Sequence, residues 1–384
     1  MNVTVIIDEL DMGGAQHIVY ELARHLNKSK YKITIICTDG KTDSILERQM
    51  IEEEKNGDYS LVFMKKPLYL YINTPSKFFN RILRRLFRFP SDLLTIPSLG
   101  REIKKTKPDI IHAHQHGILA GYWTLFHGVP MIATVHTSPA VTFYRECEKI
   151  IFKALVFYKR IAVVGISKYN GELIKKYWHL NDLNVSYINN GVNIEDFYQT
   201  PHETFTFINS SRHDKNKNQS LILRAFARLR NENPAFPIKL FLVGGGDTHE
   251  KLKEEAQKLG ITELVEFTGY VKNTKEYLAL SDVYVSSSRR EGLSLSALEA
   301  MACGLPVIAT DAGGVRDLAQ DNGILVADDD EDGLFAAMKK LRDNGELRLL
   351  MGKKSLEMVH KYSAPEMAEK YAALYEKIAA KQSL

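Results

Sequence analysis

Arg289-Arg290-Glu291-Gly292-Leu293-Ser294-Leu295-Ser296-Ala297-Leu298-Glu299-Ala300-Met301-Ala302-Cys303-Gly304-Leu305-Pro306-Val307-Ile308-Ala309-Thr310 is the stretch on which the reading of this chain turns. It predicts a loop, a short helix and a strand. Ser294 is placed to cap the helix, Leu295, Leu298 and Met301 recur at helical spacing, and Gly304 with Pro306 stops it ahead of Val307-Ile308-Ala309. A helix start of this kind offers unpaired backbone N–H groups to an anion. Glu291 stands in the loop and Glu299 follows eight positions later in the helix. A carboxylate just ahead of such amides is oddly placed for phosphate alone. It suits a ligand that carries hydroxyl groups as well.

Outward from this stretch, apolar strand patterns alternate with helical ones on both sides. Toward the C-terminal half, Thr204 to Ser210, Ile238 to Val243, Val265 to Thr268 and Val283-Tyr284-Val285 read as strands, with helices through Leu221 to Leu229, up to Leu259 and over Lys275 to Leu280. Toward the N-terminus, Val3 to Ile7 is a β-branched run followed by Gly13-Gly14 and a helix pattern through Ile18, Val19, Leu22 and Leu26. Glycines there let a ligand approach backbone that a Cβ would block. Lys32 to Thr38, Ser60 to Met64, Pro108 to His114, Pro130 to Thr137, Arg160 to Ser167 and Val185 to Ile188 complete the N-terminal strands, with helices over Gly117 to Phe126 and Lys168 to Trp178. The alternation predicts an α/β chain of two Rossmann-like, doubly wound domains. The expected domains are residues 1–190, residues 191–362, and a C-terminal helix, 363–384, packing back on the first.

A length of 384 residues suits two cores, and 45% hydrophobic with 26% charged residues is a globular composition. No apolar run is long enough to span a bilayer, and the N-terminus turns acidic at Asp8-Glu9, so a cytoplasmic location is expected. Cys37, Cys147 and Cys303 are odd in number and lack metal-type spacing, which reads as small core residues rather than a disulfide framework or zinc site. The run Asp328 to Asp332 reads as a solvated loop and helix start.

The net charge of +4 hides an asymmetry: residues 65–107 hold eleven Lys and Arg against two acids. Within this segment residues 75–90 form a candidate amphipathic helix, with Phe78, Phe79, Ile82, Leu83 and Leu86 on one face and Lys77, Arg81, Arg84, Arg85 and Arg88 largely on another. It can be a surface helix packed on its domain, or one lying on an anionic membrane leaflet, and the concentration of charge favours the second. Nucleic acid is not expected, because no reading motif accompanies the patch.

His112, His114 and His136 close apolar strands, and in open parallel sheets the carboxyl ends of strands are where ligands bind. His112 and His114 taken singly read as hydrogen-bonded structural histidines. With the Gly13-Gly14 loop, His136, Arg212 and Lys217 in one loop, and Glu291 and Glu299 embedded in Glu-Gly-Leu-Ser…Ala-Leu-Glu-Ala-Met-Ala-Cys-Gly-Leu-Pro, the chain resembles the retaining glycosyltransferases of family four over nearly its whole length.

The resemblance implies the GT-B architecture, two Rossmann-like domains facing a central cleft. It implies transfer of a hexose or N-acetylhexosamine from a nucleotide-diphosphate sugar, a UDP-sugar by preference, to a saccharide or lipid-linked acceptor, without a metal or other cofactor. Arg212 and Lys217 would hold the diphosphate, by forked bonds and a point charge respectively. Glu291 would bind donor-sugar hydroxyls, with Gly292, Leu293 and Ser294 near sugar and diphosphate, and Glu299 would take the ribose hydroxyls. His136 would lie by the donor sugar, Gly13 and Gly14 would let the first loop approach, and Tyr270 with Val271 would seat the base. The chain departs from the family's frequent Gly-Arg-Leu at Ser211-Arg212-His213. A hydrolase or epimerase of nucleotide sugars on the same fold, and a catalytically silent nucleotide-sugar-binding subunit, are the competing readings.

Overall fold

The computed structural model describes the chain except for residues 12, 66–95, 115–126, 137–138, 140–145, 159–160 and 381–384. The expected helices over 75–90 and at Gly117 to Phe126 lie outside the described residues. The chain divides into two compact units, Met1–Asn189 with Met367–Leu384, and Asn190–Glu366.

Unit 1 is built on β1 (Asn2–Ile7), β2 (Lys32–Cys37), β3 (Ser60–Phe63), β4 (Ile110–His114), β5 (Met131–Val135), β6 (Ile161–Gly165) and β7 (Val185–Tyr187), in the order β3-β2-β1-β4-β5-β6-β7, every pairing parallel. Unit 2 is built on β8 (Phe205–Ser210), β9 (Ile238–Val243), β10 (Val265–Gly269), β11 (Val283–Ser286), β12 (Val307–Thr310) and β13 (Gly323–Val326), in the order β10-β9-β8-β11-β12-β13, again all parallel. The central strands are near-continuous Val, Ile and Phe runs because helices cover both faces of such sheets. The sequence pattern does not announce strand β13. It is short, with Gly323 set so close to β12 that a Cβ would meet the Val307 carbonyl at 2.3 Å.

In each sheet the strand order reverses once, between β1 and β4 and between β8 and β11. At such a switch point the loops leaving two neighbouring strands diverge and open a crevice at their carboxyl ends. In unit 2 those are the loops at 211–218 and 287–294, which carry Arg212, Lys217 and Glu291.

The last helix, Ala364–Ala380, buries Tyr371 and Tyr375 against unit 1. The Tyr375 hydroxyl lies 2.7 Å from His112 Nδ1, and Tyr31 donates to Glu376 at 2.9 Å. Cys37 and Cys303 are buried thiols, and burial pushes Cys303 up to about 12. The side chain of Cys147 lies outside what is described. Asp330 caps helix Glu331–Asp343 by accepting from Gly333 N at 2.8 Å, and Glu331 pairs with Arg224 and Arg228, so the acidic run is a helix start.

Candidate functional site

The loop after β8 is shaped by its own side chains. Asp214 Oδ1 accepts from the backbone N–H groups of Asn216 and Lys217 at 2.9 and 3.0 Å, an Asx turn that tightens the chain ahead of helix Gln219–Glu232. Gln219 braces it by donating to Ser211 Oγ and the Arg212 carbonyl, both at 2.9 Å. The loop is then stitched to the one after β11: Arg289 N–H donates to Asn216 O at 2.8 Å, Asn216 Nδ2 to Arg290 O at 3.0 Å, and Ser287 Oγ to the carbonyls of Lys217 and Asn218.

This stitching brings Lys217 and Glu291 together, 74 positions apart in sequence and 2.5 Å apart from Nζ to Oε2. Their side chains are only 18% and 15% exposed, so this is a partly buried ion pair. Burial pushes the Lys217 pKa down, the Glu291 carboxylate raises it by charge and hydrogen bond, and the net is a rise. The ammonium is therefore held charged. Ser288 Oγ donates to the same carboxylate oxygen at 3.3 Å. Arg212, by contrast, is 70% exposed, with its nearest acidic partner, Asp214, at 3.5 Å.

Glu291 is also fixed through its backbone: its N–H donates to Ala312 O at 2.8 Å, and its carbonyl accepts from Gly314 N at 2.9 Å. A Cβ on Gly314 would stand 1.7 Å from the Gly292 carbonyl, so only glycine allows this approach. The glycine pair Gly313-Gly314 is the sequence signal that could have disclosed this support. Ser294, three residues after Glu291 in the chain, caps helix Leu295–Ala302 by accepting from Ala297 N. Glu299 is half-buried on the same helix. Tyr270, 62% exposed after β10, lies over Gly245, where a Cβ would meet its ring at 2.9 Å. Gly244 and Gly246, with φ of +124° and +147°, pack on the carbonyls of Ser211 and His213. The departure at His213 has a structural counterpart: the ring is buried and stacks on His249, with Nδ1 atoms 2.9 Å apart.

Two family models match the chain, Glycosyltransferase Family 4 over residues 12–196 and Glycosyl transferases group 1 over residues 193–358. The chain belongs to the family 4 glycosyltransferases. It is 26% identical to the UDP-Gal:alpha-D-GlcNAc-diphosphoundecaprenol alpha-1,3-galactosyltransferase of Escherichia coli, over 86% of this chain and 92% of that protein. It is 28% identical to an N-acetylgalactosaminyltransferase of Campylobacter jejuni acting on a diphospho-undecaprenol saccharide, over 55% of this chain and 60% of that one. Among solved structures, Anabaena HepE in complex with UDP superposes with a TM-score of 0.77 at 16% identity, covering 98% of this chain and 100% of the other. That likeness, with the two parallel-sheet units, establishes the GT-B fold.

In this glycosyltransferase, unit 1 carries its own residues at the carboxyl edge of its sheet. Gly13 precedes helix Gly14–His25 as its N-cap, without a side-chain cap. His136 follows β5 directly and remains partly exposed, its Nε2 2.7 Å from Nδ1 of the fully buried His114. Burial pushes His136 down to about 4 and His112 to about 3, with His136 adding a repulsive contribution to the latter, and His114 is likewise pushed well down. All three are neutral at pH 7. Among the described residues no group of His, Cys, Asp and Glu has the geometry of a metal site, and no helix is long and apolar enough to cross a membrane.

Proposed function

We propose that this glycosyltransferase is a retaining, metal-independent hexosyl- or N-acetylhexosaminyltransferase, taking its sugar from a UDP-sugar and passing it to a lipid-linked or saccharide acceptor in cell-surface glycan synthesis. The observation that carries the reading is the partly buried Lys217–Glu291 pair. It sets a charged ammonium beside a carboxylate, in loops that also bear the exposed Arg212 and lead into a capped helix start, which suits a ligand with a diphosphate and hydroxyls together. The undecaprenol-linked substrates named for the two relatives support the acceptor class.

In this reading Arg212 and Lys217 bind the diphosphate and stabilise the negative charge that builds on it as the glycosidic bond breaks. Glu291 binds the donor sugar's hydroxyls with Gly292, Leu293 and Ser294 alongside, Glu299 takes the ribose, and Tyr270 with Val271 seats the base. Unit 2 is thus the donor domain. Unit 1 is the acceptor domain, with Gly13 and Gly14 admitting ligand and His136 serving the donor sugar. The acceptor attacks from the face the leaving phosphate departs, and that phosphate takes its proton, so no protein nucleophile is needed. The charge of residues 65–107 supports peripheral attachment at the inner face of the membrane.

A thermal-shift screen of nucleotide sugars identifies the donor, since a ligand present at a hundred times its Kd stabilises the native state by about 2.7 kcal/mol. Incubation with that donor, lipid-linked or free saccharide acceptors and EDTA is then expected to yield a product with retained anomeric configuration. Steady donor consumption without acceptor would refute transfer in favour of hydrolysis.

A further inference from the structure

The histidines at the carboxyl edge of unit 1 form a connected set. His112 is held at both ring nitrogens, Nδ1 by Tyr375 OH and Nε2 by Thr134 Oγ1, each at 2.7 Å, and Thr134 Oγ1 reaches Tyr371 OH at 3.1 Å. The His114 ring lies tilted against that of His112, with centroids 4.2 Å apart and 38° between planes, and its Nδ1 meets Nε2 of His136 at 2.7 Å. The His114 and His136 rings are nearly parallel, 24° between planes. His114 is fully buried, and among the described residues its Nε2 has no hydrogen-bond partner.

We infer that His114 is a positioning residue that donates its Nδ1–H to Nε2 of His136, and so fixes His136 as the Nδ1–H tautomer. The argument is one of proton placement. Two neutral imidazoles own two N–H protons, and one of them lies between the rings. The other sits either on the orphaned, buried Nε2 of His114 or on Nδ1 of the partly exposed His136. A buried N–H without an acceptor is among the rarest features of native proteins, because nothing replaces the water it gives up. The arrangement that avoids it puts the bridging proton on His114 and the second on His136 Nδ1. His136 then meets a ligand as a hydrogen-bond donor to a sugar or phosphate oxygen, not as a base. This rests on the reading of His136 as a donor-sugar residue.

Two readouts separate the inference from that reading. In protein labelled with 15N-histidine, long-range 1H–15N correlations at pH 7.5, assigned with His136→Gln and His114→Asn, report which ring nitrogen of His136 carries hydrogen. Nδ1–H is expected, and Nε2–H would overturn the inference. His114→Leu should release the tautomer and lower kcat about tenfold to a hundredfold with KM for acceptor little changed. His114→Asn, whose amide N–H can stand where Nδ1–H was, should restore most of the rate, whereas failure of Asn to rescue while the melt stays native would count against it. If His136→Gln leaves turnover intact while the spectra show Nδ1–H, the reading of His136 at the donor sugar falls and the proton placement stands.

Discussion

Replacing Lys217 by methionine and Glu291 by glutamine, singly and together, separates what the pair does for the fold from what it does for a ligand. Each partner is more than four-fifths covered, at 18% and 15% exposure. Removing one leaves the other charge in a poorly hydrated place, a change that costs about 3–5 kcal/mol in a fully buried pair. The remaining exposure and the Ser288 hydrogen bond reduce this, so each single variant should lose about 2–3 kcal/mol. The double variant has no unpaired charge and should lose about 1–2 kcal/mol, leaving a coupling energy of about 3 kcal/mol. The assay must look at unit 2 directly, because both tryptophans of the chain, Trp123 and Trp178, belong to unit 1. Native-state hydrogen exchange, read on peptides from β8 and β11, supplies that view. An additive cycle, with coupling under about 0.5 kcal/mol, would refute the reasoning. It would mean that the two side chains do not share one partly buried site in solution, and the donor site proposed on them would fall too.

Arg212 behaves oppositely. At 70% exposure its replacement by alanine should shift stability by no more than about 0.5 kcal/mol, yet cut turnover by about two to three orders of magnitude, as steady-state kinetics beside a thermal melt will show. Gly314→Ala should unseat the Glu291 loop, since the new methyl would fall 1.7 Å from the Gly292 carbonyl; loss of donor-induced stabilisation is expected, and a variant with native donor affinity would contradict the packing. Acid should weaken the fold in a definite window. His112, His136 and His213 have folded pKa values of about 3, 4 and 4 against 6.5, and His114 is likewise low. The unfolded chain therefore binds more protons below pH 6.5, and stability should fall by about 1.4 kcal/mol per pH unit for each such histidine as the pH drops from 6.5 toward 4. Urea midpoints across that range test this, and a flat profile would argue that the rings are hydrated.

Strand and helix alternation was legible because central parallel strands must be apolar on both faces, and runs such as Val3 to Ile7 and Ile238 to Val243 announce it. The helix at Leu295–Ala302 and its Ser294 cap were equally readable, being decided within a few residues. The short strand β13 was not. Four residues carry too little pattern, and its place is set by contact with β12.

Sequence by itself determined the α/β class, the two-unit plan and the family, since these depend on local propensity and on a motif whose spacing is written along the chain. Tertiary structure alone decided which charges meet. Nothing in the sequence says that Lys217 and Glu291, 74 positions apart, pair; that follows from β8 and β11 lying side by side at the point where the strand order reverses. The same holds for His114 and His136, joined because β4 and β5 are neighbours, and for Tyr375, which reaches His112 from the far end of the sequence. Contacts of that range depend on strand order and side-chain burial, which exist only once the chain has folded.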